Sequence, residues 1–205
     1  MELTEALAAV RAHSEKKGFQ QTLDLIINLK NIDMKKPESR FSREVVLPNS
    51  SGKAAGVCMI SDSRKDYEPR LSKDDITALE HDKKSAKRVC REHDFFMCEP
   101  ALMILVGKVL GRYLGPIGKM PRLLPPAANP KAVAEELSKS VRVRVKDSPN
   151  IMCAVGPETM PDGQILENSK RVIDEIKKAL PAKSQIRNGY IKLTMGKPVK
   201  FEVKQ

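Results

Sequence analysis

Residues 21–29, QTLDLIINL, alternate at Leu23, Leu25 and Ile27 and add Ile26, the pattern of a largely buried strand. Ahead of them Thr4 precedes EALAAVRAHSEKK, which carries Leu7, Ala8 and Val10 on one side and predicts a short helix ended by Gly18. EVVLP (44–48) is a short strand, and NSSGK (49–53) clusters turn residues into a clear break. The pattern then changes. AAGVCMI (54–60) and DFFMCE (94–99) predict buried strands. LSKDDITALE and HDKKSAKRVCRE predict helices, with Asp82 placed as an N-cap. PALMILVGKVL (100–110) predicts a helix with proline in its first turn, and residues 107–126 a Gly/Pro loop. NPKAVAEELSKS predicts a helix with Asn129 as N-cap and Pro130 at its first position. A third pattern starts at residue 140. VRVRVKD (141–147) alternates strictly, apolar on one face and basic on the other. NIMCAVG (150–156) is another strand. Asp162 is placed to cap QILENSKRVIDEIKKAL, where Ile165, Leu166, Ser169, Val172, Ile173, Ile176 and Leu180 make one stripe. GYIKLTMG (189–196) and PVKFEVK (198–204) predict a hairpin.

Both chain ends are thus strand-rich and alternating, while the middle reads strand, helix, strand, helix, the order of a small α/β unit with parallel pairing. At 205 residues the chain has room for one or two domains. One economical arrangement joins residues 1–52 and 140–205 into one domain and inserts 53–139 as a second, with the crossings at Ser51–Gly52 and near Ser140 as hinges.

Charge narrows the partner. The formal net charge is +11, and residues 141–205 hold 13 Lys/Arg against 7 Asp/Glu. Between Glu175 and Glu202 there is no acid, only Lys177, Lys178, Lys183, Arg187, Lys192, Lys197 and Lys200. Between Glu99 and Glu135 the charged residues are Lys108, Arg112, Lys119, Arg122 and Lys131. Such a balance favours a polyanion, because neutralised phosphates release counterions. Aromatic content is 4% with no Trp, so few rings are available for base stacking.

Candidate chemistry removes the other classes. Cys58, Cys90, Cys98 and Cys153 show no CxxC pair, and Cys90, His93 and Cys98 lack a fourth ligand at any standard zinc spacing, so buried free thiols and no metal are expected. The N-terminal stretch has no signal-type apolar region, and no run of about 18 apolar residues occurs, so a cytoplasmic protein with no membrane partner is expected. GKVLGRYLGPIGKMPRLLPP (107–126) looks like a phosphate cradle. It fails as a Walker loop, because Met120 replaces the metal-binding Ser/Thr and Tyr113 the first glycine. No GxGxxG occurs. His13, His81 and His93 are scattered, and the pairs Asp74–Asp75 and Glu135–Glu136 diverge on their helices. Neither a catalytic group nor a cofactor is indicated. The rival reading is an enzyme that binds a nucleotide or phosphate ligand through the Gly-rich loop.

The segment GKVLGRYLGPIGKMP resembles the signature of large-subunit ribosomal protein family one, the proteins of the mobile stalk beside the tRNA exit site. KGFQQTLDLIINLKNIDMKKPESRF looks like the first strand of archaeal-like members, and NIMCAVG and YIKLTMG look like the family's last-third motifs. The resemblance implies an α/β (α+β) protein of two domains: a split, sandwich-like α/β domain from both chain ends and an inserted Rossmann-like three-layer α/β domain. It implies a structural constituent of the large subunit that is not an enzyme. Its implied partners are large-subunit rRNA at the stalk, exit-site tRNA whose release it aids, and its own mRNA leader, whose translation it represses. Free of the ribosome it is expected to be a monomer.

Carried onto this chain, the family's RNA contacts fall on Phe19, Thr22, Asp24, Lys146, Asn188, Thr194, Met195 and Gly196, with a secondary contact at Arg112 and Lys119. Thr22 and Asp24 share a strand face by the two-residue period. Gly196 is expected to let RNA approach the backbone closely. Ile117 stands where many relatives carry Arg, which weakens a phosphate contact in the glycine loop.

Overall fold

The computed structural model describes residues 1–13, 18–36, 39–50, 52, 55–146, 148–181 and 184–203. In chain order the elements are α1 (Leu3–Ala12), β1 (Thr22–Lys30), β2 (Ser42–Val46), β3 (Val57–Ile60), β4 (Arg70–Leu71), α2 (Lys73–His81), α3 (Lys83–Glu92), β5 (Phe95–Cys98), α4 (Met103–Val109), α5 (Gly111–Ile117), β6 (Arg122–Leu123), α6 (Pro130–Ser138), β7 (Ser140–Arg144), β8 (Asn150–Pro157), α7 (Asp162–Ala179), β9 (Gln185–Leu193) and β10 (Val199–Phe201). They form two compact units, Met1–Lys53 with Lys139–Gln205, and Ala54–Ser138. Of the expected crossing at Ser51–Gly52, Ser51 lies outside the described residues.

The first unit is a mixed α/β layer pair. Its antiparallel sheet runs β10-β9-β1-β8, and β2 pairs with β7 in a second, two-stranded sheet. The alternation of β1 decides which face is covered. Leu23, Leu25, Ile27 and Leu29 are buried, together with Ile151, Cys153 and Val155 of β8, Ile191 and Leu193 of β9 and Phe201 of β10. Against them pack Ala6, Leu7 and Val10 of α1 and Ile165, Val172, Ile173 and Ile176 of α7. Ile26 does not join this core; it lies half-buried on the opposite face, as the two-residue period requires. The α7 stripe also buries Asn168, whose amide donates to Asn49 O (3.0 Å) and Val155 O (2.8 Å) while its oxygen accepts from Asn49 N (3.0 Å). Arg11 of α1 donates to the carbonyls of Glu158 (2.8 Å) and Met160 (2.6 Å) and pairs with Asp162 (2.6 Å), which fixes the turn into α7. Helix α1 begins at Leu3 behind Glu2, one turn earlier than Thr4 suggests.

The second unit has three layers. Its sheet, β4-β3-β5-β6, is parallel throughout. Cys58, Ile60, Phe96 and Cys98 face α2, α3, α4 and α5; Val57, Met59, Phe95 and Met97 face Leu124 and the α6 residues Ala134 and Leu137. Asp82 caps α3 by accepting from Lys84 N and Ser85 N, and Asn129 accepts from Lys131 N at the start of α6. The expected Gly/Pro loop is instead largely helical. Leu110 and Leu114 are fully buried, and holding both in the core folds 111–117 into α5, bent 87° from the preceding helix. Pro116 falls in the last turn of α5, and Gly118 ends it at φ +78°. Among the described residues no single helix is long and apolar enough to cross a membrane.

Candidate nucleic-acid interface

One face of the four-stranded sheet carries the helices; the other carries side chains in cross-strand rows. The register sets Asn150, Asn28 and Asn188 in one row, and Met152, Ile26, Tyr190 and Lys200 in the next. A third row is Ala154, Asp24 and Lys192. Met152 is 62% exposed, well beyond the usual strand methionine, and Lys200 is exposed.

At the end of this face the start of β1 meets the turn between β9 and β10. The turn is closed by Gly196 N donating to Leu193 O (2.8 Å). Thr194 ties it to β1. Its amide donates to Thr22 O (3.0 Å), and its hydroxyl lies 3.0 Å from Thr22 O and 3.1 Å from the Asp24 carboxylate, sharing one proton between two acceptors. The hydroxyl's lone pairs stay open to a donor such as a 2′-hydroxyl. Gln21, buried just before β1, accepts from Met195 N (3.2 Å), which leaves the Met195 side chain 61% exposed. Lys192 Nζ donates to Thr194 O (3.1 Å). Phe19 is 56% exposed in the segment leading into β1. Beneath the site, burial and then the Asp24 charge push the Cys153 thiol up to about 12, so it stays neutral behind the strand.

Phe19, Thr22, Asp24, Thr194, Met195 and Gly196 therefore belong to one end of one sheet. Asn188 shares the face but stands six residues along β9, about 20 Å from Thr194 at roughly 3.3 Å per residue. It accepts from Asn28 Nδ2 (3.0 Å). Lys146 is exposed beyond β7, on the other sheet of the unit. Arg112 and Lys119 lie in the second unit. Arg112 is exposed over the Tyr113 ring, 4.9 Å from its centroid. Lys119 is turned inward at 15% side-chain exposure. Its ammonium donates to His93 O (2.7 Å) and Cys90 O (3.3 Å) and pairs with Asp94 (3.6 Å), closing the C-terminal end of α3.

The role expected of Gly196 has a different cause in the structure. A Cβ there would stand 3.2 Å from Leu193 Cβ and 3.4 Å from Leu193 O, so the glycine serves the tightness of the turn itself. Sequence reasoning missed Gln21, Asn28, Asn150, Met152, Tyr190 and Lys200. Alternation marks each as outward, but only strand pairing sets them in rows. Among the described residues no group of three or more His, Cys, Asp or Glu is arranged to hold a metal ion.

Residues 10–197 match the model of the ribosomal protein L1p/L10e family. The chain is 41% identical to the large ribosomal subunit protein uL1 of Thermofilum pendens, over 97% of this chain and 92% of that one. It is 38% identical to the uL1 proteins of Pyrococcus horikoshii (98% of this chain, 95% of that one) and Methanocaldococcus jannaschii (98% and 94%).

Proposed function

The chain belongs to the ribosomal protein L1p/L10e family, in its archaeal uL1 form, and from that premise we propose that it is a structural protein of the large ribosomal subunit that grips rRNA with its first unit. Its role is structural rather than enzymatic, and its place is the cytoplasmic ribosome. The observation that carries the reading is the meeting of Phe19, Thr22 and Asp24 with Thr194, Met195 and Gly196 at one end of an uncovered sheet face. Hydroxyls, a carboxylate and turn backbone at that point suit the shallow minor groove of an RNA helix, with its 2′-hydroxyls and base edges. The lysines around it, Lys192, Lys197 and Lys200, suit the phosphates.

The grip is on a stalk segment of large-subunit rRNA. Through the stalk the protein aids departure of deacylated tRNA from the exit site, and it represses its own translation by binding a similar RNA fold in its message. Free of RNA it is a monomer. Arg112 is a secondary backbone contact; Lys119 serves α3 first.

Binding of an rRNA stalk fragment by filter retention tests the reading. Thr194→Ala and Met195→Ala are each expected to weaken it by about 1–3 kcal/mol. Undiminished binding by both variants would overturn the site. Footprinting the stalk fragment with and without a transcript of the mRNA leader tests repression: competition at the same positions is expected, and independent binding would remove the repressor role.

A further inference from the structure

The second unit has the strand order of a doubly wound sheet. Its first strand, β3, is flanked by β4 on one side and β5 on the other, so the chain leaves it in opposite directions. In such sheets an anionic ligand sits beyond the carboxyl ends of the strands where the order reverses. Here that place lies beyond Ile60 of β3 and Cys98 of β5, and it is occupied from within. Glu99 follows β5, and its side chain is only 15% exposed. Its Oε1 accepts from Ser63 Oγ at 2.5 Å, and the carboxylate also takes hydrogen bonds from the Ser61 hydroxyl and the backbone N–H groups of Asp62 and Ser63. Burial by itself raises the Glu99 carboxyl, yet those donors hold it below its ordinary value. The Arg64 guanidinium, 4.0 Å from the same oxygen, is spent on the carbonyls of Pro126 and Ala128. Beside the carboxylate opens a pocket of about 590 Å³ whose walls include Lys73, Asp62, Leu102 and Leu105.

Two hydroxyls and two successive amides converging on one buried oxyanion are the donor set of a phosphate cradle. We propose that the loop Ser61–Ser63 is an oxyanion site whose resident anion is the Glu99 carboxylate, and that inorganic phosphate takes its place once that carboxylate is removed. Lys73 adds a cation at the pocket wall, while the Asp62 carboxylate on the same wall opposes the incoming anion. The device gives a physical reason for a sheet of nucleotide-binding order that carries no nucleotide: the position of the phosphate is filled by the chain itself.

The test is a titration of the whole ¹⁵N-labelled chain with inorganic phosphate at constant ionic strength, read at the amides of Asp62 and Ser63. Glu99→Ala is expected to give saturable shifts at both amides and to bind phosphate about tenfold tighter or more than the unaltered chain. Glu99→Gln keeps the size and removes the charge, and is expected to bind more tightly than the unaltered chain and less tightly than Glu99→Ala. A folded Glu99→Ala with no saturable shift overturns the proposal, as does equal binding by the unaltered chain. Should Glu99→Ala fail to fold, the glutamine variant decides by the same amides, and phosphate affinity no greater than that of the unaltered chain overturns it.

Discussion

In the first unit a four-stranded antiparallel sheet is covered on one face and left open on the other; in the second a four-stranded parallel sheet is covered on both. The difference follows from connection geometry. Antiparallel strands join by turns such as Leu193–Gly196 and need a helix on one face only, so they alternate apolar and polar. Parallel strands need crossovers, and helices on both faces demand strands buried throughout, as in VCMI and FFMC. The first sheet is therefore free to present a broad surface to a large partner. The second has only its strand ends to offer, and Glu99 closes one of them. The polar groups at the two places are handled in opposite ways. Thr194 and Asp24 share one proton and keep acceptors facing outward, whereas Glu99 consumes its donors inside.

The sharpest separation of the two units comes from Phe96, fully buried in the second. Phe96→Ala is expected to cost that unit about 4 kcal/mol in urea unfolding and to leave stalk-RNA affinity within about twofold. A parallel fall in RNA affinity would break the division of labour. Gly189→Ala strikes the first unit. Phe201 lies over that glycine, and a Cβ there would stand 2.2 Å from its Cζ, so a loss of about 3 kcal/mol is expected, with RNA affinity falling only as the unit unfolds. Tyr190→Leu probes the open face without emptying it. The substitution keeps an apolar cover beside Ile26 and Met152 and removes the ring, and RNA affinity is expected to drop by about 1–2 kcal/mol in filter binding with unfolding midpoints unchanged.

The smallest effect is a pH dependence. Burial, with a further contribution from a neighbouring acid, pushes Cys58, Cys98 and Cys153 from 9.0 up to about 12 in the folded chain. Above pH 9 the unfolded chain sheds thiol protons that the folded chain keeps, so stability falls as pH rises toward 12. At pH 10 the loss is about 1 kcal/mol per thiol, and the second unit, holding two of the three, is expected to lose more. Urea unfolding at pH 8 and pH 10 measures it, and Cys153→Ser is expected to flatten the slope of the first unit only.

Much of this comparison is readable in the chain. Asp82 and Asn129 announce their helices because a cap acts within a few residues of itself. The inner face of β1 is legible at Leu23, Leu25 and Ile27, since alternation is a local property. The helical course of 111–117 is not legible, because its glycines and Pro116 argue for a loop and only the burial of Leu110 and Leu114 overrides them. Lys119 reads as one of five bases in an acid-free stretch, and nothing near it in sequence shows that it closes the end of α3, some thirty residues back.

By itself the sequence determined the periods, the caps, the basic last third and the family signature, all of which depend on neighbours along the chain. The tertiary structure alone decided which outward residues share a surface. Thr22 meets Thr194 and Asn28 meets Asn188 across more than 150 intervening residues, through strand pairings that no local pattern specifies. It also decided the fate of Glu99. Nothing local distinguishes that glutamate from a solvated one, and only the return of β5 beside β3 brings Ser61–Ser63 to its carboxylate.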